Sequence, residues 1–381
     1  MLKRMEYIMK GSFKPYIRVV VFIAGLILII SSMDFLFGKT GYVRYTIKEV
    51  NAKDENYDTL VLGASHARSA INPYKIDEQT GSNCYNLAVP GALVRDTYYL
   101  LLDAIDSNDI KTVIYDVDFY YWIASQNVEA FSKDFIYQPM TDMSVKTRYV
   151  FDNIDNIDIR NFVTNRLSWD MSMETAKKNV NKKTSKAYKE NSIEACDTGD
   201  DGYVLEANGP YVGKGYFSRV VSGLKPGGQT FIENEKERAN GELIEDVLNY
   251  FDKIVELCDK NNIELICIAS PITPSSMETM KINIAYPKIQ QYMDTKGIKL
   301  YDFNLLLQSV LPRDDVDYGD LEGHMGGTLG DEYSQILGKC IREIRAGSFD
   351  KSRYFYNSYD EMFKNLKTDY VKATGNEWEG Y

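Results

Sequence analysis

Two short segments hold the residues whose types and spacing could do chemistry. The first is Gly63-Ala64-Ser65-His66, directly after the apolar run Thr59–Leu62. The second is Asp320-Leu321-Glu322-Gly323-His324, far downstream. A serine hydroxyl is a weak nucleophile at its own pKa. It needs a base, and an imidazole oriented by a carboxylate supplies one. The chain has only 2 histidines, one in each segment. That points to acyl transfer through Ser65, with His324 as base and an acid of its own loop to orient it. His66 is the chain neighbour of Ser65. Adjacent side chains on such a turn diverge, so His66 reads as a helix-start residue packed below the turn.

The elements that must position these residues are legible as alternating patterns. Thr59–Leu62 (TLVL) is a short buried strand feeding the glycine turn, which places Ser65 at the rim where parallel sheets bind ligands. Cys84–Val89, Lys111–Phe119, Ile263–Ala269 and Ile298–Tyr301 are further strands. Helices are expected over Arg95–Ile105, around Tyr286–Lys296 and over Tyr333–Ile344. Another is expected where Leu243, Ile244, Val247, Leu248, Phe251, Ile254, Val255 and Cys258 recur at helical spacing. Strands alternating with helices imply an α/β fold with a mainly parallel sheet covered on both faces, a three-layer α/β/α arrangement. Residues 120–240 break the rhythm and read as an inserted cap. Residues 346–381 read as a polar, aromatic-containing tail whose order the sequence leaves open.

At the amino terminus, Lys3, Arg4, Lys10, Lys14 and Arg18 precede a charge-free run from Val19 to Met33, extended by Phe35–Phe37. Residues 19–37 give about 19 positions, close to what a bilayer span needs. The basic residues before it favour an inside amino terminus and an outside body. The reading is a retained single-pass anchor, with 1–18 as a cytoplasmic basic segment, 38–57 as a polar linker and 58–345 as the main domain. The alternative is a cleaved leader and a secreted esterase beginning after Met33.

The composition narrows the function further. The chain has 381 residues and a net charge of −11, which disfavours a general nucleic-acid binder. Its 5 cysteines form no Cys-x-x-Cys, and none of the pairs has a histidine nearby, so neither a metal site nor another cofactor is expected. Cys258 and Cys267 read as small buried hydrophobes. Tyr115, Tyr120, Tyr121 and Trp122, at and after the third strand, read as packing residues or as sugar-stacking rings. Lys177, Lys178, Lys182, Lys183, Lys186 and Lys189 read as a solvated basic loop, or as a surface for an anionic polymer or lipid headgroups.

The stretch LVLGASHARSAINP, followed by YNLAVPGA, resembles the SGNH (GDSL-type) hydrolase superfamily. It is similar to the membrane-anchored branch containing the D-alanyl-teichoic-acid transfer proteins and partners of membrane-bound O-acyltransferases. The resemblance implies a flavodoxin-like sheet, Ser65 as nucleophile, His324 as base and Asp320 as its orienter. It also places Gly91 in the second block, whose backbone N–H helps form an oxyanion hole, with Asn86 in the same block. In the family an acid commonly stands three before the histidine. Here Leu321 holds that position, leaving Asp320 and Glu322 both open. The family's third block, Gly-x-Asn-Asp, has no counterpart after Lys111–Phe119. Asp116 and Asp118 occupy that strand instead and read as rim or structural residues.

The expected function is a membrane-tethered, extracytoplasmic serine esterase or O-acyltransferase. Its substrate would be a cell-envelope glycan or teichoic-acid-like polymer, and a membrane-bound O-acyltransferase would be its partner. The alternative is a non-catalytic, polymer-binding or docking partner of such an enzyme.

Overall fold

The computed structural model describes residues 2–38, 41–52, 55–123, 136–137, 140–153, 169, 171–196, 209–221 and 242–379. The strands are β1 (Thr59–Leu62), β2 (Cys84–Asn86), β3 (Thr112–Asp116), β4 (Tyr211–Gly213), β5 (Tyr216–Phe217), β6 (Glu264–Ala269) and β7 (Leu300–Asp302). The helices are α1 (Leu2–Phe37), α2 (Tyr42–Val50), α3 (Ser65–Ala70), α4 (Pro73–Thr80), α5 (Val94–Ile105), α6 (Tyr120–Ile123), α7 (Met143–Asp152), α8 (Met173–Thr184), α9 (Lys186–Lys189), α10 (Glu245–Lys260), α11 (Pro274–Thr279), α12 (Ile282–Asp294), α13 (Gly327–Arg345) and α14 (Tyr359–Thr374).

The chain divides into two compact units. The smaller comprises residues 1–40 and 153–196 and contains α1, α8 and α9. Within α1, Pro15–Phe37 is long and apolar enough to cross a membrane. The helix starts well before the apolar run, at Leu2.

The larger unit comprises residues 41–152 and 197–381. It is α/β, built on a five-stranded parallel sheet of order β2-β1-β3-β6-β7. Every residue of β1 and β3 is buried, which is why Leu60–Leu62 and Val113–Tyr115 run apolar without alternation. β1 sets the register for both neighbours, Thr59 facing Cys84 of β2 and Thr112 of β3. From β1 the chain moves to one side for β2 and returns to the other for β3. The carboxyl ends of β1 and β3 therefore flank a topological switch point, where open α/β sheets form a crevice.

α13 packs on α3 and α4. The approach is close because Gly330, Ser334 and Gly338 line one stripe of α13. Gly330 faces the Ser69 and Ala70 carbonyls, and Gly338 faces Ile76 and Gln79. Ser334 Oγ donates to Ala70 O at 3.1 Å and accepts from Asn72 N at 2.8 Å. This contact ties the loop before α13 to the helix that begins at Ser65.

One expectation differs from the structure. Residues 42–50 are not linker. They form α2, with Tyr42, Val43, Tyr45, Thr46, Ile47 and Val50 buried on a helical stripe. The carboxyl-terminal tail, whose order the sequence leaves open, is partly helical. α14 runs from an N-cap at Ser358 to a left-handed Gly375 and buries Tyr359, Met362, Leu366 and Tyr370. Within the expected insertion, the described residues include the hairpin β4–β5, whose Lys214 carbonyl accepts from Asn86 N at 2.9 Å. The rest of that insertion lies partly outside the described residues.

Candidate active site

Ser65 is the first residue of α3 and is half-buried. The turn that delivers it depends on Gly63, whose φ is +150°. A Cβ there would stand 2.9 Å from Ala67 Cβ and 3.1 Å from Asp116 O. Only glycine takes that backbone conformation readily, and only glycine fits. Val89 N donates to Gly63 O at 3.2 Å, bringing the turn that carries Gly91 (φ +71°) against the serine turn. A narrow cleft at this spot is lined by Gly63, Ala64, Ala92, Val94, Thr97, Tyr115, Asp116, Asp118 and Tyr121.

His324 sits on a hairpin-like loop closed by Gly319 N to His324 O at 2.8 Å and Gly326 N to Asp317 O at 2.8 Å. The loop wraps around the Asp320 carboxylate. Asp320 Oδ1 accepts from the backbone N–H of Glu322, Gly323 and His324 at 3.1, 3.2 and 3.3 Å. Gly323, at φ +111° and pressed against Ile272, permits that curl. The same carboxylate meets His324 Nδ1 at 3.0 Å (Oδ1) and 2.9 Å (Oδ2). Arg219, reaching in from the segment after β5, donates to Asp320 Oδ2 at 3.0 Å. Of the two acids left open by the sequence, Asp320 makes the imidazole contact. The curl explains how an acid four residues upstream can do so.

His66 is not an inert packing residue. Its Nδ1 lies 3.0 Å from Asp118 Oδ2, and its ring centroid stands 5.0 Å from that of His324. Asp118 lies two residues beyond the end of β3. Its other oxygen accepts from Tyr120 N at 3.2 Å. Two histidine–aspartate pairs therefore face one another beside Ser65. Among the described residues, no hydrogen bond joins Ser65 Oγ to either imidazole.

The charges follow from these contacts. Burial works against protonation of His66, but the Asp118 carboxylate, with Asp116 and Asp320 behind it, raises its pKa to about 9. Burial also lowers the pKa of His324. Asp320 pulls it upward, while the cations His66 and Arg219 push it down, and the net direction is down. Near neutral pH, His66 is thus charged and His324 neutral. A carboxylate only accepts hydrogen bonds, so His324 Nδ1 carries the proton and Nε2 keeps a lone pair. Burial opposes ionisation of Asp320, yet His324 and Arg219 hold its carboxyl far below the usual range. Burial pushes Asp116 up to about 6, although Ser270 N donates to it at 2.8 Å.

The second-block residues divide. Asn86 is buried, and its amide N–H groups donate to Ala67 O (3.0 Å) and Ile71 O (2.8 Å), while its oxygen accepts from Ala88 N. It braces α3 and has no amide N–H left for an oxyanion. Of the rim aromatics, Tyr115 and Trp122 are buried, while Tyr120 and Tyr121 are half-buried. Cys258 and Cys267 are buried, burial raising both thiol pKa values.

Sequence reasoning missed two partners. Asp118 read as a rim or structural residue of the third strand, whereas β3 stops at Asp116 and leaves Asp118 beyond its end, facing His66. Arg219 had no local signal, standing between Ser218 and Val220 with no motif around it. No family model matches the chain and no curated protein matches it, so the functional reading rests on these side chains and their geometry.

Proposed function

We propose that this chain is a membrane-tethered SGNH-like serine esterase or O-acyltransferase. In this reading the larger unit is a three-layer α/β/α body on the outer face of the membrane, and α1 is its single-pass anchor. The substrate class is an acylated cell-envelope glycan or teichoic-acid-like polymer. The observation that carries the proposal is the Asp320–His324 pair, bonded at Nδ1 on a loop whose following helix packs on the helix that begins at Ser65.

The chemistry follows from that pair. As Ser65 Oγ attacks an acyl carbonyl, its proton passes to His324 Nε2, and Asp320 stabilises the resulting imidazolium. Backbone N–H groups near Ser65 and Gly91 hold the oxyanion. When the tetrahedral intermediate collapses, the bond to the leaving alkoxide breaks, and His324 returns the proton to that oxygen. Water or an acceptor hydroxyl then attacks the acyl-enzyme, giving its proton to His324. Release of the acyl product returns that proton to Ser65. A metal or cofactor is not needed for these steps. His66, charged through Asp118 and with its ring 5.0 Å from that of His324, keeps His324 unprotonated until the serine proton arrives.

Full-length protein in detergent, given a chromogenic acyl ester with and without a glycan acceptor, tests this. The expected result is turnover that Ser65→Ala removes. A second reading is favoured by the absence of a Ser65–His324 bond and by the commitment of the Asn86 amide to α3. It is a non-catalytic docking partner of a membrane-bound O-acyltransferase. Ester turnover equal in parent and Ser65→Ala would favour that reading and overturn the first.

A further inference from the structure

The basic run in the smaller unit has a defined place in the fold. The last carbonyls of a helix have no partner within it. At the end of α1 they are met by α8. Asn179 Nδ2 donates to Leu36 O (2.9 Å) and Gly38 O (3.1 Å). Lys183 Nζ donates to Asp34 O and Gly38 O, both at 2.9 Å, its charge complementing the helix dipole. Trp169 Nε1 donates to Asp34 Oδ1 at 3.3 Å. Ala176, Asn179 and Lys183 form the buried stripe of α8.

Over the described side chains of α1, from Pro15 onward, coverage is confined to that end. Met33, Asp34, Leu36 and Phe37 are half-buried and Gly38 is buried, whereas Pro15–Ser32 is exposed apart from Gly25 and Ile30. α8 therefore sits at the level where the apolar span stops. Its remaining surface is basic with an apolar end. Lys177 and Lys178 are exposed, as are Lys186 and Lys189 of α9. Met171 and Met173, beside Trp169 in the chain, are 66% and 72% exposed. Residues 171–196 hold six lysines against three glutamates, a net of +3 in a chain of net −11. A helix with basic residues and exposed methionines, fixed at the end of a membrane span, matches the physics of an interfacial helix.

We infer that α8 and α9 dock on anionic lipid headgroups of the leaflet at the carboxyl end of α1, with lysines on the phosphates and Met171 and Met173 dipping toward the acyl boundary. The inference rests on reading α1 as a bilayer span. The docked helix would hold the body's tether upright instead of leaving the anchor as a free swivel.

The test uses the full chain in nanodiscs of phosphatidylcholine, alone or mixed with phosphatidylglycerol. A dye is attached at Met173→Cys with Cys196→Ser, the other cysteines being buried. The expected result is stronger quenching by headgroup-level spin-labelled lipid in the anionic discs. Lys177→Gln and Lys189→Gln should each lower the docked-to-undocked ratio about five-fold. Equal quenching in the two kinds of disc overturns the inference. So does a response to soluble polyglycerol phosphate without any response to phosphatidylglycerol, which would make the surface a polymer site. A dye at Leu28→Cys reports the span itself. Quenching there by mid-chain spin labels, whatever the lipid charge, supports the anchor, and its absence overturns the anchor reading as well.

Discussion

The neutrality of His324 depends on a charge that sits next to it in space and next to Ser65 in the chain. His66 and His324 have ring centroids 5.0 Å apart. At an effective dielectric of about 20, a unit charge at about 5 Å interacts by about 3 kcal/mol, an upper bound of about two pH units on the neighbour's midpoint. Exposure of the cleft reduces this, so about one to two pH units are expected. His66→Gln removes that cation. Burial of His324 and the charge of Arg219 still lower its basicity, and Asp320 still raises it, so the midpoint moves up. Asp118→Asn tests the same link with both rings in place. Without that carboxylate, burial lowers the His66 pKa against only Asp116 and Asp320, so it falls from about 9 and the ring loses charge near neutral pH. His324 should rise in this variant too. With only 2 histidines in the chain, the nitrogen-15 imidazole spectrum of full-length protein in detergent reads both midpoints directly. Any serine-dependent activity should show the same upward move on its acid limb. A His324 midpoint within a few tenths of the parent in both variants would refute the coupling.

Other outcomes follow from the same geometry. The pairing that raises His66 to about 9 stabilises the fold fully below 6.5 and is lost as pH rises through 9, on the order of 3 kcal/mol. Denaturant unfolding across that window should therefore show a steeper loss in the parent than in His66→Gln. Gly63→Ala forces a side chain into φ +150° and against Ala67 and the Asp116 backbone, and should cost about 2–4 kcal/mol in unfolding free energy. Asp320→Asn should slow Ser65 acylation about ten-thousandfold, since it disturbs the tautomer of His324. Glu322→Gln should stay within a few-fold. Equal and small losses for both would remove Asp320 from the mechanism.

What could be read from the chain, and what could not, has a physical pattern. Strands buried on both faces leave unbroken apolar runs, so TLVL and IELICIA stood out with little ambiguity. Their ends were less clear. β3 stops at Asp116, and Asp118 lies beyond it, where its carboxylate reaches His66. α2 was hidden because Arg44, Lys48 and Glu49 mask a helical stripe of Tyr42, Val43, Thr46, Ile47 and Val50. α14 carried legible signals in its Ser358 cap, its left-handed Gly375 and its apolar positions, but its polar content outweighed them. At the site, the roles of Ser65 and His324 were suggested by local pattern. The choice of Asp320 needed the curl around its carboxylate, which depends on Gly323 packing against Ile272. Arg219 and the facing of the two imidazoles arise from contacts between distant segments, which no local period records.

The central claim is an activated serine at the head of α3. The most direct test is labelling of the full-length protein with a fluorophosphonate, read by intact mass and peptide mapping. A single adduct on Ser65 is expected, disappearing in His324→Ala and forming far more slowly in Asp320→Asn. Folded protein that takes no adduct, or takes one on Ser65 at an unchanged rate without His324, would contradict it.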